Sequence, residues 1–207
     1  MMRGLASANL ARAMGMDRRE TNKELALREK LEERLAEVMD PTKVYFCRMS
    51  TRSPKDAVSL SAEEKLLPIT ERVQRKIRLL QVRTPQQVVD LLAKSQRVFS
   101  DINFYFGHRV ANSSSARLFL ILREWTEIPQ DHEFRCYVMD RKIVAISQYQ
   151  CYCAFPAMQN EEHVRRIRDA IMKFHDQITQ ALPMHDYVID IAVFEDLSCS
   201  VIGTYAQ

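Results

Sequence analysis

Glycine is scarce in this chain, with 4 residues in 207. P-loops and Rossmann turns set glycines at fixed spacings so that backbone N–H groups can approach phosphate closely. Neither spacing occurs, so any nucleotide would be held mainly by side chains. Long apolar runs are also missing. No stretch reaches the roughly 18 residues needed to span a bilayer. Nor does one charge dominate: 30 basic and 27 acidic residues give a net charge of +3, with the signs mixed along the chain. That balance supplies no basic field for nucleic acid. The five cysteines, Cys47, Cys136, Cys151, Cys153 and Cys199, are odd in number and irregularly spaced, which does not read as a disulfide framework. Cys151 and Cys153 have no second Cys or His pair at zinc-like spacing, so free or buried thiols in a reducing compartment are the expectation.

What is present describes an ordinary globular protein: 46% hydrophobic and 28% charged residues. The length allows one substantial core or two small lobes. At the start, Met1 to Met16 holds Arg3 and Arg12 and no acid before Asp17. It weakly resembles a transit peptide but lacks an apolar core or richness in serine.

Hydrophobic spacing predicts the elements. A charged helix is expected from about Arg18 to Met39, with Leu27, Leu31, Leu35 and Val38 as its stripe and Pro41 as its stop. Val44 to Met49 reads as a strand. Glu63 to Leu80 reads as helix, with Pro68 as a kink or the true start. Thr84-Pro85-x-Gln87 is a capping box opening a helix that carries Val88, Val89, Leu91 and Leu92. Leu118 to Leu122 fits a strand buried on both faces. Glu133 to Met139 and Lys142 to Tyr149 form a hairpin about Asp140-Arg141. In its second arm, Lys142, Val144, Ile146 and Gln148 are expected on one face. A long helix over Asn160 to Leu182 turns Val164, Ile167, Ile171, Phe174 and Ile178 inward. Strands at Tyr187 to Phe194 and from Ser198 to Ile202 follow. Helices and antiparallel strands without a parallel-sheet period favour an α+β fold.

Four clusters can carry chemistry. Arg48, Arg52, Lys55 and Asp56 surround a Ser-Pro turn at a strand end, fitting either a phosphate cradle or an exposed basic loop. Arg123, Glu124 and Trp125 end a buried strand, with the only Trp offering either an aromatic face for a base or a lid on the core. Glu133 and Arg135 share one strand face, opposite Phe134 and Cys136, where they could pair with each other or receive a ligand. Asp190 lies within Tyr187-Val188-Ile189-Asp190-Ile191-Ala192-Val193. A carboxylate there is costly unless paired, hydrogen-bonded or metal-bound, and a buried Arg is the structural alternative. The five histidines, His108, His132, His163, His175 and His185, form no triad readable from the sequence.

Together the clusters resemble the cell division cycle protein 123 family. The match is carried by Ser53-Pro54-Lys55-Asp56-Ala57, Leu122-Arg123-Glu124-Trp125 with Ile128-Pro129, Glu133-Phe134-Arg135-Cys136 with Lys142 and Ile146-Ser147-Gln148, and Val188-Ile189-Asp190-Ile191. It covers roughly Val44 to Ile202. The resemblance implies an ATP-grasp-like α+β fold of mainly antiparallel sheet with flanking helices. In that fold two lobes clasp ATP and Mg2+. It implies an assembly chaperone for eukaryotic translation initiation factor 2 that binds the gamma subunit and promotes joining to the alpha subunit. Such a protein would be cytoplasmic and monomeric, with no direct nucleic-acid or membrane partner and no established turnover. An ATP-grasp ligase or kinase-like enzyme and an inactive short form are the alternatives. By matching position, Arg48, Ser53, Lys55, Asp56, Arg123, Trp125 and Arg135 would bind ATP, and Asp190 would be the first metal ligand. Residues 1–40 would be a charged helical segment and 41–207 the family domain. Two departures stand out. The family carries a longer first lobe before the Arg48 region, which the charged helix replaces here. Where the family has an acid and then Asn-Pro-Phe, Val201-Ile202 is followed here by Gly203-Thr204-Tyr205-Ala206-Gln207. Two expected metal ligands are thereby missing, so the chain reads as cut short or diverged at its metal-binding end, with weakened magnesium affinity.

Overall fold

The computed structural model describes residues 21–112 and 117–206. The transit-peptide-like start lies outside them. The chain divides at Trp125/Thr126 into two compact units.

In the first unit, α1 spans Asn22–Ala36. Thr21 caps it reciprocally: Oγ1 of Thr21 accepts from the Glu24 backbone N–H, and the Glu24 carboxylate accepts from the Thr21 N–H. The helix ends three residues earlier than its pattern implies. Val38 therefore falls beyond it and is 67% exposed, while Met39 is buried in its place. Arg28 of α1 is ion-paired with Asp90. Strand β1 is Tyr45–Met49. A short 3-10 turn at Glu64–Leu66 precedes α2, Ile69–Arg78, so Pro68 is the helix start rather than a kink. Then come β2 (Gln81–Val82), α3 (Pro85–Lys94), α4 (Gln96–Asn112) and β3 (Leu120–Glu124). Thr84 caps α3 as expected, but Gln87 reaches back to the Arg83 N–H rather than to Thr84. Helix α4 was not foreseen; Val98 and Ile102, four apart, place it in the core.

The strands form an antiparallel sheet in the order β2-β1-β3. β3 is an edge strand; Ile121 within it and Phe119 just before it, 56% accessible, are both exposed, so the expected burial of Leu118 to Leu122 on both faces does not hold. The core joins Leu35 and Met39 with Cys47 and Met49 of β1, Val88, Val89 and Leu92 of α3, and α4.

The second unit contains β4 (Glu133–Met139), β5 (Lys142–Gln148), α5 (Glu161–Ile178), β6 (Tyr187–Val193) and β7 (Cys199–Ala206). All pairings are antiparallel, in the order β5-β4-β6-β7. Asp140 and Arg141 both have positive φ, as a two-residue hairpin turn requires. A bulge interrupts the hairpin: Tyr137 faces Ala145 while Val138 faces Ile143, leaving Val144 as the extra residue. That one residue inverts the face alternation. Lys142, opposite Met139, and Gln148, opposite Phe134, therefore lie on opposite faces instead of sharing one. Phe134, Cys136 and Val138 of β4 join Tyr187, Ile189 and Ile191 of β6 and Ile167 and Ile171 of α5 in the core. Val164 stays exposed, and His175 takes a buried place on α5. All five cysteines are free thiols.

Candidate functional site

The face of the second sheet opposite Phe134 and Cys136 carries the sharpest site. Arg135 and Asp190 stand directly across from each other on β4 and β6. The pair is bidentate: Arg135 Nε donates to Oδ1 at 2.8 Å and Nη2 to Oδ2 at 2.9 Å. This explains how a carboxylate 1% exposed survives in an apolar strand. Hydrogen bonding to Asp190 raises the Arg135 pKa above its ordinary value, against a smaller opposing effect of burial.

Two aromatic rings flank the guanidinium. Its Cζ lies 5.1 Å from the centre of the Tyr149 ring and 5.6 Å from that of Tyr205. Both distances suit cation–π attraction. Neither tyrosine was singled out from the sequence. Period-two alternation finds them only once the strand register is known. Ser147 is opposite Arg135 and Gly203 is opposite Asp190. Tyr149 and Tyr205 each lie two residues further on, hence on the same face. The Arg135 edge formed by Nε and Nη2 is fully used by Asp190. Nη1 makes no hydrogen bond to the described residues, and the side chain is 36% exposed. The arrangement thus presents a fixed, permanently charged donor between two rings, able to accept an oxyanion or a flat π-system.

A magnesium site does not fit the residues present. Both Asp190 oxygens face Arg135, Gly203 stands at the neighbouring position on β7, and no group of three His, Cys, Asp or Glu side chains among the described residues could hold a metal. A hard cation wants six or more oxygen ligands, several of them charged.

In the first unit the expected cradle is largely spent on structure. Asp56 accepts from Ser95 Oγ at 2.7 Å and from the Arg97 backbone N–H at 3.0 Å, while Ser95 Oγ accepts from the Val98 N–H. Together they cap α4. Burial pushes the Asp56 pKa up, but these hydrogen bonds outweigh it and leave the pKa below its ordinary value. Arg52 forks onto Asp101 of α4 and also donates to the Arg97 carbonyl. Arg48 donates to the carbonyls of Met49 and Thr51. Ser53 and Lys55 are half-buried beside a buried Pro54. At the far end of β3, Arg123 is exposed, Glu124 pairs with Lys43 at 2.8 Å, and Trp125 packs against the first unit's core. The structure therefore brings Arg135 and Asp190 together and ties Asp56 to α4; Arg48, Ser53, Lys55, Arg123 and Trp125 lie in the first unit.

These features define an α+β protein of antiparallel sheets whose most organised polar site is an arginine clamped by a strand carboxylate. The sequence matches D123 over residues 13–202, and the chain belongs to that family. The structure is similar to Cdc123 from Schizosaccharomyces pombe, with a TM-score of 0.62 and 19% identity over 97% of this chain and 72% of that one. Among curated proteins, "Translation initiation factor eIF2 assembly protein" of Xenopus laevis is 39% identical over 35% of this chain and 21% of its own length. "Cell division cycle protein 123" of Phaeosphaeria nodorum is 24% identical over 70% of this chain and 35% of its own length. The chain thus spans about a fifth to a third of the length of the curated relatives it matches. Among the described residues no helix is long and apolar enough to cross a membrane.

Proposed function

We propose that this chain is an ATP-binding assembly factor for eukaryotic translation initiation factor 2, acting through the gamma subunit in the cytoplasm as a monomer. The observation that carries the reading is the family match across residues 13–202, joined to relatives named for assembly of that factor. Arg135 supplies the chemical support. Its charge is fixed by Asp190 and it retains an unused donor edge, which suits a phosphate oxygen. In this reading Asp190 orients Arg135 and binding needs no magnesium. Arg48, Ser53 and Lys55 remain candidate phosphate contacts, and Arg123 and Trp125 candidate base or ribose contacts. Asp56 serves the nucleotide only by holding the loop that carries Ser53 and Lys55. Holding ATP is the proposed role, with no turnover assigned, since a fold by itself does not confer a reaction.

The test is capture of purified gamma subunit by the full tagged chain, with the Xenopus laevis relative as control. The proposal expects capture by both. Capture by the relative and none by this chain would remove the assembly role.

A further inference from the structure

We propose that His132 and His163 form a two-imidazole site for a divalent first-row transition metal of the zinc and copper class. The two residues come from different elements of the second unit. His132 closes the 3-10 turn Gln130–His132 that leads into β4, and its N–H donates to the Pro129 carbonyl at 3.0 Å. His163 lies in the first turn of α5, where its N–H donates to the N-cap side chain of Asn160 at 3.1 Å. Each backbone is therefore fixed independently, one by a turn and the other by a cap.

The rings meet with centroids 5.8 Å apart and planes inclined at 47°. That tilt is not a parallel stack. His132 Nδ1 and His163 Nε2 are each buried from solvent and have no hydrogen-bond partner. Buried polar atoms are normally satisfied. A neutral imidazole has one nitrogen that donates and one with a lone pair, so each orphan needs either an acceptor or something that takes a lone pair. A metal ion meets both lone pairs at once, with the protons on the other two nitrogens. The spacing agrees. Metal–imidazole bonds of about 2.0–2.1 Å put the ring centres of a two-imidazole complex roughly 5–6.5 Å apart, depending on the angle at the metal.

Ligand type sets the selectivity. Imidazole suits zinc, copper and nickel, whereas magnesium and calcium require oxygen. Among the described residues no third His, Cys, Asp or Glu completes a cluster, so water fills the remaining positions and affinity stays below that of a four-ligand structural site. The two nitrogens are themselves shielded, but both histidines are only half-buried as residues, so a turn of the rings toward their open side is what would admit the ion and its waters. Exposed Glu161 and Glu162, in the same first turn as His163, offset the positive end of the α5 dipole. A bound ion would clamp the start of β4 to the start of α5.

The experiment is Zn2+ titration of the full chain, followed by calorimetry and thermal unfolding, for wild type, His132→Gln, His163→Gln and the double variant. The expected result is one zinc per chain with a raised midpoint in wild type, loss of at least tenfold in affinity in each single variant, and no response to Mg2+. Without metal, each variant should still unfold in one cooperative transition near the wild-type midpoint, which confirms that it folds. Equal zinc binding by the double variant, which would point to the cysteines, overturns the proposal. So does absence of any zinc-dependent shift in wild type at millimolar zinc.

Discussion

Arg135 and Asp190 are unequal partners: the carboxylate is sealed at 2% side-chain exposure while the guanidinium keeps 36%. Removing the arginine strands a buried charge. Removing the acid leaves a cation that can still reach water. Arg135→Met is therefore expected to cost about 3 kcal/mol and Asp190→Asn about 1–2 kcal/mol. The double variant should recover part of the larger loss. Chemical denaturation of the three variants checks this; equal costs for the two single changes would mean that Asp190 is stabilised by something other than Arg135.

His175 should make stability fall in mild acid. It is buried, its Nε2 lies 2.8 Å from the Tyr187 hydroxyl, and burial lowers its pKa from 6.5 against an opposing pull from Asp176. The unfolded chain then binds the proton first as pH falls. The contribution is complete above about pH 6.5 and is lost progressively below it. Thermal midpoints from pH 7.5 to 5 should drop more steeply in wild type than in His175→Gln; parallel curves would exclude His175 as the cause.

Thiol reactivity should separate by depth. Burial pushes Cys47 and Cys136 up to about 12, whereas Cys151 is exposed. The thiolate is the reactive form. A brief pulse of iodoacetamide on native protein, read by peptide mass spectrometry, should label Cys151 and spare Cys47 and Cys136 until denaturant is added. Early labelling of Cys136 would show that β4 opens.

The Asp56 cap predicts a structural phenotype. Asp56→Ala removes two hydrogen bonds at the α4 N-terminus and should lower stability by about 1–2 kcal/mol. Urea unfolding measures it. A loss below a few tenths would show that Ser95 alone suffices.

Much of this architecture was legible in the chain because local rules carried it. The Asp140-Arg141 hairpin, the Thr84 and Asn160 helix starts and the inward stripe of α5 from Ile167 to Ile178 follow from residue type and spacing, whereas Val164 and His175 depart from it. The failures have physical causes. Val38 was misplaced because α1 ends early. The Lys142-to-Gln148 face was wrong because one bulged residue, Val144, reverses the alternation, and a bulge leaves no clear mark in sequence. The cost of placing Asp190 in an apolar strand was visible, and a buried Arg was among its foreseen solutions. Which arginine, and the flanking rings of Tyr149 and Tyr205, required the register of three strand pairs.

The proposed function requires that Arg135 receive the phosphates of ATP without a metal. Thermal unfolding of the full chain with increasing ATP, in excess EDTA and again in magnesium, tests this directly against Arg135→Met. The predicted result is a midpoint that climbs by several degrees and equally in both buffers, with the climb absent in the variant. A climb seen only with magnesium, or one that persists in Arg135→Met, would contradict it.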